Sequence, residues 1–330
     1  MRITKIAMHE GPHVDEIAAL LILKRWGEYF FSVVRSAEVV YWSQGGATPD
    51  GESAESWLKQ GVLCLGQGFG QFDEHPNLAR GIPRKTNECT TSLVAKALGF
   101  KKGNETPISR AVRHLVSLVT DLDLKGGSDL LSVEQTLSAM SRRGVSSAEM
   151  LDWGIKGIAA ILDDQIEFQK EFDNARGRNY RYYTIGPVIL AVVESDSEYA
   201  CKAARVGGRA NLVIRCNPDT GHITIMRDMK QVPTALMEEI VVKLRRLEKI
   251  DADKIRISLA RRTEAAAEGH LYGWYYHPRF GLVTTGGNRG SRSAQPSQTS
   301  FNKIVETIVS VLEDLQTTTI FPMRSSIAHI

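Results

Sequence analysis

The feature that most constrains this chain is a pair of apolar runs separated by a polar loop near its start. Ile6, Ala7 and Met8 close a short run that reads as a buried strand, and residues 17–23 form an apolar run of helical length. A strand, a short loop and a buried helix together open an α/β domain, and such sheets carry their chemistry at the C-terminal ends of their strands. Between the two runs lie His9, Glu10, Gly11, Pro12, His13, Val14, Asp15 and Glu16. Two imidazoles and a carboxylate within seven residues offer donors suited to Mn, Fe, Zn or Co, and the positive helix end is expected to hold Asp15 ionised. On this stretch alone a polar loop with an aspartate cap explains the residues equally well, so a second cluster has to decide.

That cluster follows the next buried strand, residues 62–65, which ends in glycines. Asp73, Glu74 and His75 come shortly after it, and Pro76 keeps them on a loop. Residues 90–98 read as a helix whose opening Thr90, Thr91 and Ser92 suit a cap or an anion. A helix over 108–119 runs into Asp121 and Asp123, which two residues apart do not share a helix face, so at most one points inward. Acidic groups at a negative helix end favour a cationic partner.

Elsewhere, 32–35 and 39–42 read as strands, 55–59 as a short helix, and 133–172 as helical with a break at 143–147. The polar stretch 163–171 suits a helix bridging two domains, with 174–179 as the linker. The second half alternates again: strands at 182–185 and 188–193, a helix at 198–205, a hairpin of 211–216 and 222–226, a helix at 232–247 and a final one at 301–315. Two domains result, 1–175 and 176–330.

The 330 residues carry a formal charge of only +3, which excludes a strongly basic nucleic-acid coat. Four scattered cysteines without a CxxC pair suggest neither a disulfide framework nor a zinc ribbon. No stretch approaches the roughly 20 apolar residues of a membrane span and no signal-peptide pattern opens the chain, so the expectation is a cytoplasmic protein with reduced thiols and no membrane contact.

In order, a His-x3-His-x-Asp after the first strand, a strand ending in glycines, an Asp-x-His and an aspartate near residue 121 resemble the DHH phosphoesterase superfamily. The details look most like its branch of metal-dependent hydrolases opening with His-x-Gly-x-x-His-x-Asp-Glu, which His9, Gly11, His13, Asp15 and Glu16 match in full. The resemblance implies a parallel-sheet N-terminal catalytic domain, joined by a helical linker to a smaller α/β substrate-binding domain. It also implies a centre of one or two Mn2+ ions held by His9, His13, Asp15, Asp73, His75 and Asp121, with Asp15, Asp73, Glu74 and His75 as the catalytic set; Cys64, standing where the pattern has an aspartate, is a further candidate ligand through its thiolate, a plain buried strand residue being the alternative. The chain departs from the pattern in three places. Asp73-Glu74-His75 stands for Asp-His-His, Cys64 replaces a strand-end aspartate, and Gly286-Gly287-Asn288 replaces a Gly-Gly-His loop. With Arg289 and Arg292, that loop is the expected phosphate cradle.

The expected function is a metal-dependent phosphodiesterase acting on a nucleotide or a short single-stranded nucleic acid through a metal-activated water, exonuclease-like, with a homodimer left open. A phosphatase or pyrophosphatase using the same metals, and a nonhydrolytic nucleotide-binding protein with a degenerate site, are the alternatives.

Overall fold

The computed structural model describes residues 1–43, 48–76, 81, 83, 85–126, 129, 132–177, 180–248, 274–285 and 296–317. It is a mixed α/β protein with one sheet in each of two compact units, Met1–Gln169 and Lys170–Ile330. The division falls inside a helix rather than in 174–179. Among the described residues no helix is long and apolar enough to cross a membrane.

In the first unit β1 (Lys5–His9) lies between β2 (Glu38–Trp42) and β3 (Val62–Cys64), and both pairings are parallel. Ile6, Ala7 and Met8 are fully buried, as a central parallel strand requires. Helix α1 (Val14–Trp26) is buried from Val14 through Leu23, because neighbours cover it on several sides. These are α3 (Thr90–Ala97), α4 (Pro107–Lys125) and α5 (Val133–Arg142), together with α6 (Ser147–Ala175), where a side chain at Gly154 would strike Ile17. The short α2 (Ala54–Lys59) packs beside β3.

Two local expectations are corrected. Residues 32–35 form no strand: Val33 takes φ +64°, a 3-10 turn follows, and Glu28 accepts the amides of Val33 and Arg35 at 2.8 and 3.2 Å. Those donors are thereby withdrawn from any ladder. Helix α4 does not end near residue 119 but continues to Lys125, which changes where its carboxylates point. Its start follows ordinary rules, with Thr106 accepting from the Ser109 amide at 3.2 Å and Pro107 in the first turn. The break between α5 and α6 is closed by Ser146 and Glu149, each accepting from the other's amide.

The second unit is a six-stranded mixed sheet in the order β4 (Tyr180–Ile185), β5 (Val188–Glu194), β6 (Leu212–Cys216), β7 (Ile223–Arg227), β9 (Leu282–Thr284), β8 (Tyr275–His277). Among the described strands of this sheet only the β5–β6 pair is parallel, joined through α7 (Ala200–Gly207). The β6–β7 hairpin turns on Asn217, whose side chain accepts the amides of Asp219 and Thr220. Leu190, Leu212 and Ile225 of this sheet share a core with Met237, Ile240 and Leu244 of α8 (Thr234–Leu247) and Ile304, Ile308 and Leu312 of α9 (Phe301–Thr317). The expected phosphate cradle, Gly286, Gly287, Asn288, Arg289 and Arg292, lies outside the described residues.

Candidate metal centre

The loop between β1 and α1 is tied down by one buried side chain. Glu16, in the first turn of α1, accepts the backbone N–H of His9 at 2.9 Å and of His13 at 3.2 Å, and its Oε1 lies 3.1 Å from His9 Nδ1. Gly11 stands at φ +70°, where an L side chain is strained, and its amide donates to Ser147 Oγ at 2.9 Å. His13 is the N-cap residue, so the capping carboxylate belongs to Glu16 and Asp15 is left over for other work.

Asp15 is buried, and its carboxyl is pushed well above the usual range, first by burial and then by the charges of Glu16, Glu74 and Asp123. The expectation that the helix end holds it ionised is therefore corrected: desolvation and neighbouring carboxylates outweigh the dipole. His9 is raised in turn, chiefly by its bond to Glu16, against burial and the His75 charge.

The second loop leaves β3 through Gly66, at φ +64°, where a Cβ would sit 3.1 Å from Thr90 Oγ1 and 3.2 Å from Glu16 Cγ. Asp73 is buried and engaged within its own loop: it accepts from the Phe69 amide at 2.6 Å, the His75 amide at 2.9 Å and His75 Nδ1 at 2.9 Å. Burial works to raise its carboxyl, but the His75 and Phe69 bonds prevail and hold it below its ordinary value. Lys85 Nζ fastens the loop by donating to the carbonyls of Gly70, Gln71 and Asp73. Glu74 is also buried and is raised, burial being the main cause, while Thr90 Oγ1 donates to its Oε2 at 3.1 Å.

Helix α4 brings the third strand of the argument. Asp15, Glu74 and Asp123 each offer a carboxylate oxygen, and these lie within 4.8 Å of one another. Asp121, expected as a ligand, points elsewhere: it is exposed and paired with Lys125 at 2.6 Å. The reason is helical phase, since Asp123 extends the buried row Leu115 and Val119 at i+8 and i+4, whereas Asp121 falls on the solvent side.

Cys64 is the other correction. Its side chain packs with Ala7, Ala54 and Val62, and burial, then Asp73 and Glu55, push its thiol up to about 12. It is a neutral strand residue at ordinary pH and belongs to none of the donor clusters found among the described residues. Asp73 is not among the residues that line the cleft, although one of its oxygens lies within 4.8 Å of ligand atoms of Glu74 and His75, and its carboxylate is bonded within its own loop.

What results is a cleft of about 580 Å³ at the C-terminal ends of the parallel strands. It is lined by His9, His13, Asp15, Glu74, His75 and Asp123, with Trp42 and Phe69 also on its wall. Asp123 was legible as a continuation of the α4 stripe, and Glu16 as the acidic partner of a helix start. Phe69 carried no comparable signal. No protein-family model matches the chain, and no match is found among curated proteins.

Proposed function

We propose that this chain is a divalent-metal-dependent phosphodiesterase acting on nucleotides or short single-stranded nucleic acid. The observation that carries the reading is the convergence of Asp15, Glu74 and Asp123 within 4.8 Å in a cleft also lined by three imidazoles. Carboxyls raised by burial and by neighbouring carboxylates, as Asp15 and Glu74 are, favour a cation, and a mixed oxygen and nitrogen donor set suits Mn2+.

The histidines fit the same group. A carboxylate can only accept, so Glu16 and Asp73 fix the proton of His9 and His75 on Nδ1 and leave Nε2 as the donor atom of each ring. Histidines that bind metals are ordinarily held by a carboxylate in this way. The resemblance of the first motif to DHH phosphoesterases adds to the reading. Asp15, Glu74, Asp123, His9, His13 and His75 would hold the metal.

When bound, a divalent ion acidifies a water molecule and neutralises charge on a phosphate. The chain's own residues supply the rest. Glu16 and Asp73 orient the rings, and Lys85 and Thr90 keep the Glu74 loop in register. Cys64 brings no charge, so the anionic count rests on Asp123 where the family pattern would place a strand-end aspartate.

Elemental analysis of purified protein, beside Asp15→Ala and Asp123→Ala, tests this together with manganese-dependent cleavage of short end-labelled RNA and DNA. Stoichiometric metal and cleavage in the wild type, both lost in the two variants, is the expected result. Absence of metal and of cleavage in the wild type overturns it.

A further inference from the structure

Two aromatic side chains stand on the wall of this otherwise polar cleft. Trp42 ends β2 beside His9 in the parallel register and rests near Trp57, the ring centroids 5.1 Å apart. Phe69 is the less expected. The residue is 38% exposed, its backbone sits at φ +53°, and it makes no ring contact among the described residues.

The residues around Phe69 explain its posture. A Cβ at Gly68 would lie 2.7 Å from Thr48 Cγ2, and one at Gly70 would lie 2.5 Å from the Ala54 Cβ. The backbone on either side is thus pressed onto Thr48 and α2 and has no room for side chains. Phe69 alone carries one, and its amide is held by Asp73 Oδ2 at 2.6 Å. A bulky L residue in the left-handed region is strained, and glycine would relieve that strain. Backbone strain of this kind gathers where a side chain must be presented to a ligand.

We infer that Phe69, with Trp42, is a stacking platform for the base of the substrate, so that the site selects nucleotides over phosphate esters that lack a base. The inference rests on the phosphodiesterase reading for the position of the phosphate. A flat π-faced group next to an anion is what a phenyl and an indole beside a carboxylate–imidazole cluster would receive, and every nucleobase presents such a face. The cleft volume of about 580 Å³ lies in the range of small-ligand pockets.

The test is calorimetric titration of AMP and of ribose 5-phosphate, in manganese buffer and in EDTA, into wild type, Phe69→Gly and Phe69→Tyr, with the melting temperature of each. The expected wild-type preference for AMP is about tenfold. Phe69→Gly should erase it while the protein still melts in one cooperative transition, and Phe69→Tyr should keep it. Equal binding of the two ligands by wild type, or a preference that survives in Phe69→Gly, overturns the inference. If the Phe69-dependent preference is found but nothing is hydrolysed, the platform stands and the phosphodiesterase reading falls. If RNA is cleaved yet the preference is absent, the reverse holds.

Discussion

Replacing Asp123 by asparagine should move stability in opposite directions with and without metal, whereas the same change at Asp121 should do little in either case. Without a cation, Asp123 faces Asp15 and Glu74 with oxygens no more than 4.8 Å apart. At that separation two unit charges repel by about 0.9 kcal/mol in a water-like medium and about 3.5 kcal/mol at an effective dielectric of 20. Asp123 is exposed and Asp15 is pushed toward its neutral form, so the lower figure applies, about 1 kcal/mol. In a unit of this size that corresponds to a rise of roughly 2–4 °C for Asp123→Asn in EDTA.

With saturating manganese the sign reverses. The variant loses an anionic ligand, so the stabilisation conferred by a given metal concentration shrinks, by about 1.4 kcal/mol for each tenfold loss of affinity. Asp121→Asn gives up only an exposed pair with Lys125, worth roughly 0.3–0.5 kcal/mol. Thermal melts in EDTA and across a manganese titration measure all three proteins. If Asp121→Asn abolishes the manganese shift, or Asp123→Asn is destabilised in EDTA, the assignment of the inward carboxylate is wrong.

The metal-free protein should be less stable at pH 8 than at pH 5.5. Asp15 and Glu74 have raised folded pKa values, so their contribution worsens as pH climbs above the unfolded range near 4, and the stability from raised His9 is lost through and above about 6.5. Urea denaturation in EDTA at the two pH values checks the direction, and manganese should flatten the dependence. Glu16→Ala, which frees His9 and His13 and removes a carboxylate that also lines the cleft, should weaken manganese binding about 10- to 100-fold, read by titration calorimetry. Cys64 should resist a thiol reagent at pH 8 until denaturant is added, and Cys64→Ser should bind manganese as wild type does; rapid native labelling of Cys64 would contradict its burial. Gly66→Ala should cost about 1–2 kcal/mol, measured by denaturation, since its φ of +64° and the contacts to Thr90 and Glu16 leave a methyl no relaxed place.

Much of the scaffold was readable from local pattern. The strand closing on Met8, the apolar helix that follows the loop, and the alternation of the second half rest on apolar periodicity and turn residues, which act over a few positions, although the helix begins at Val14 with His13 as its cap rather than after Asp15. The errors fell where a distant or side-chain partner decides. Residues 32–35 look like a strand until Glu28 claims their amides. Cys64 has the type of a ligand, yet β3 turns it into an apolar cluster with Ala7, Ala54 and Val62.

By itself, then, the sequence determined the strand-loop-helix start, the grouping of His9, His13 and Asp15 at one strand end, and a second acidic loop at Asp73, Glu74 and His75. Spacing along the chain brings those residues together whatever the rest does. Only the tertiary structure decided which carboxylates meet. Whether Asp121 or Asp123 reaches Asp15 depends on how far α4 continues and on how its buried row is rotated against α1, and one residue of phase turns a side chain by about 100°.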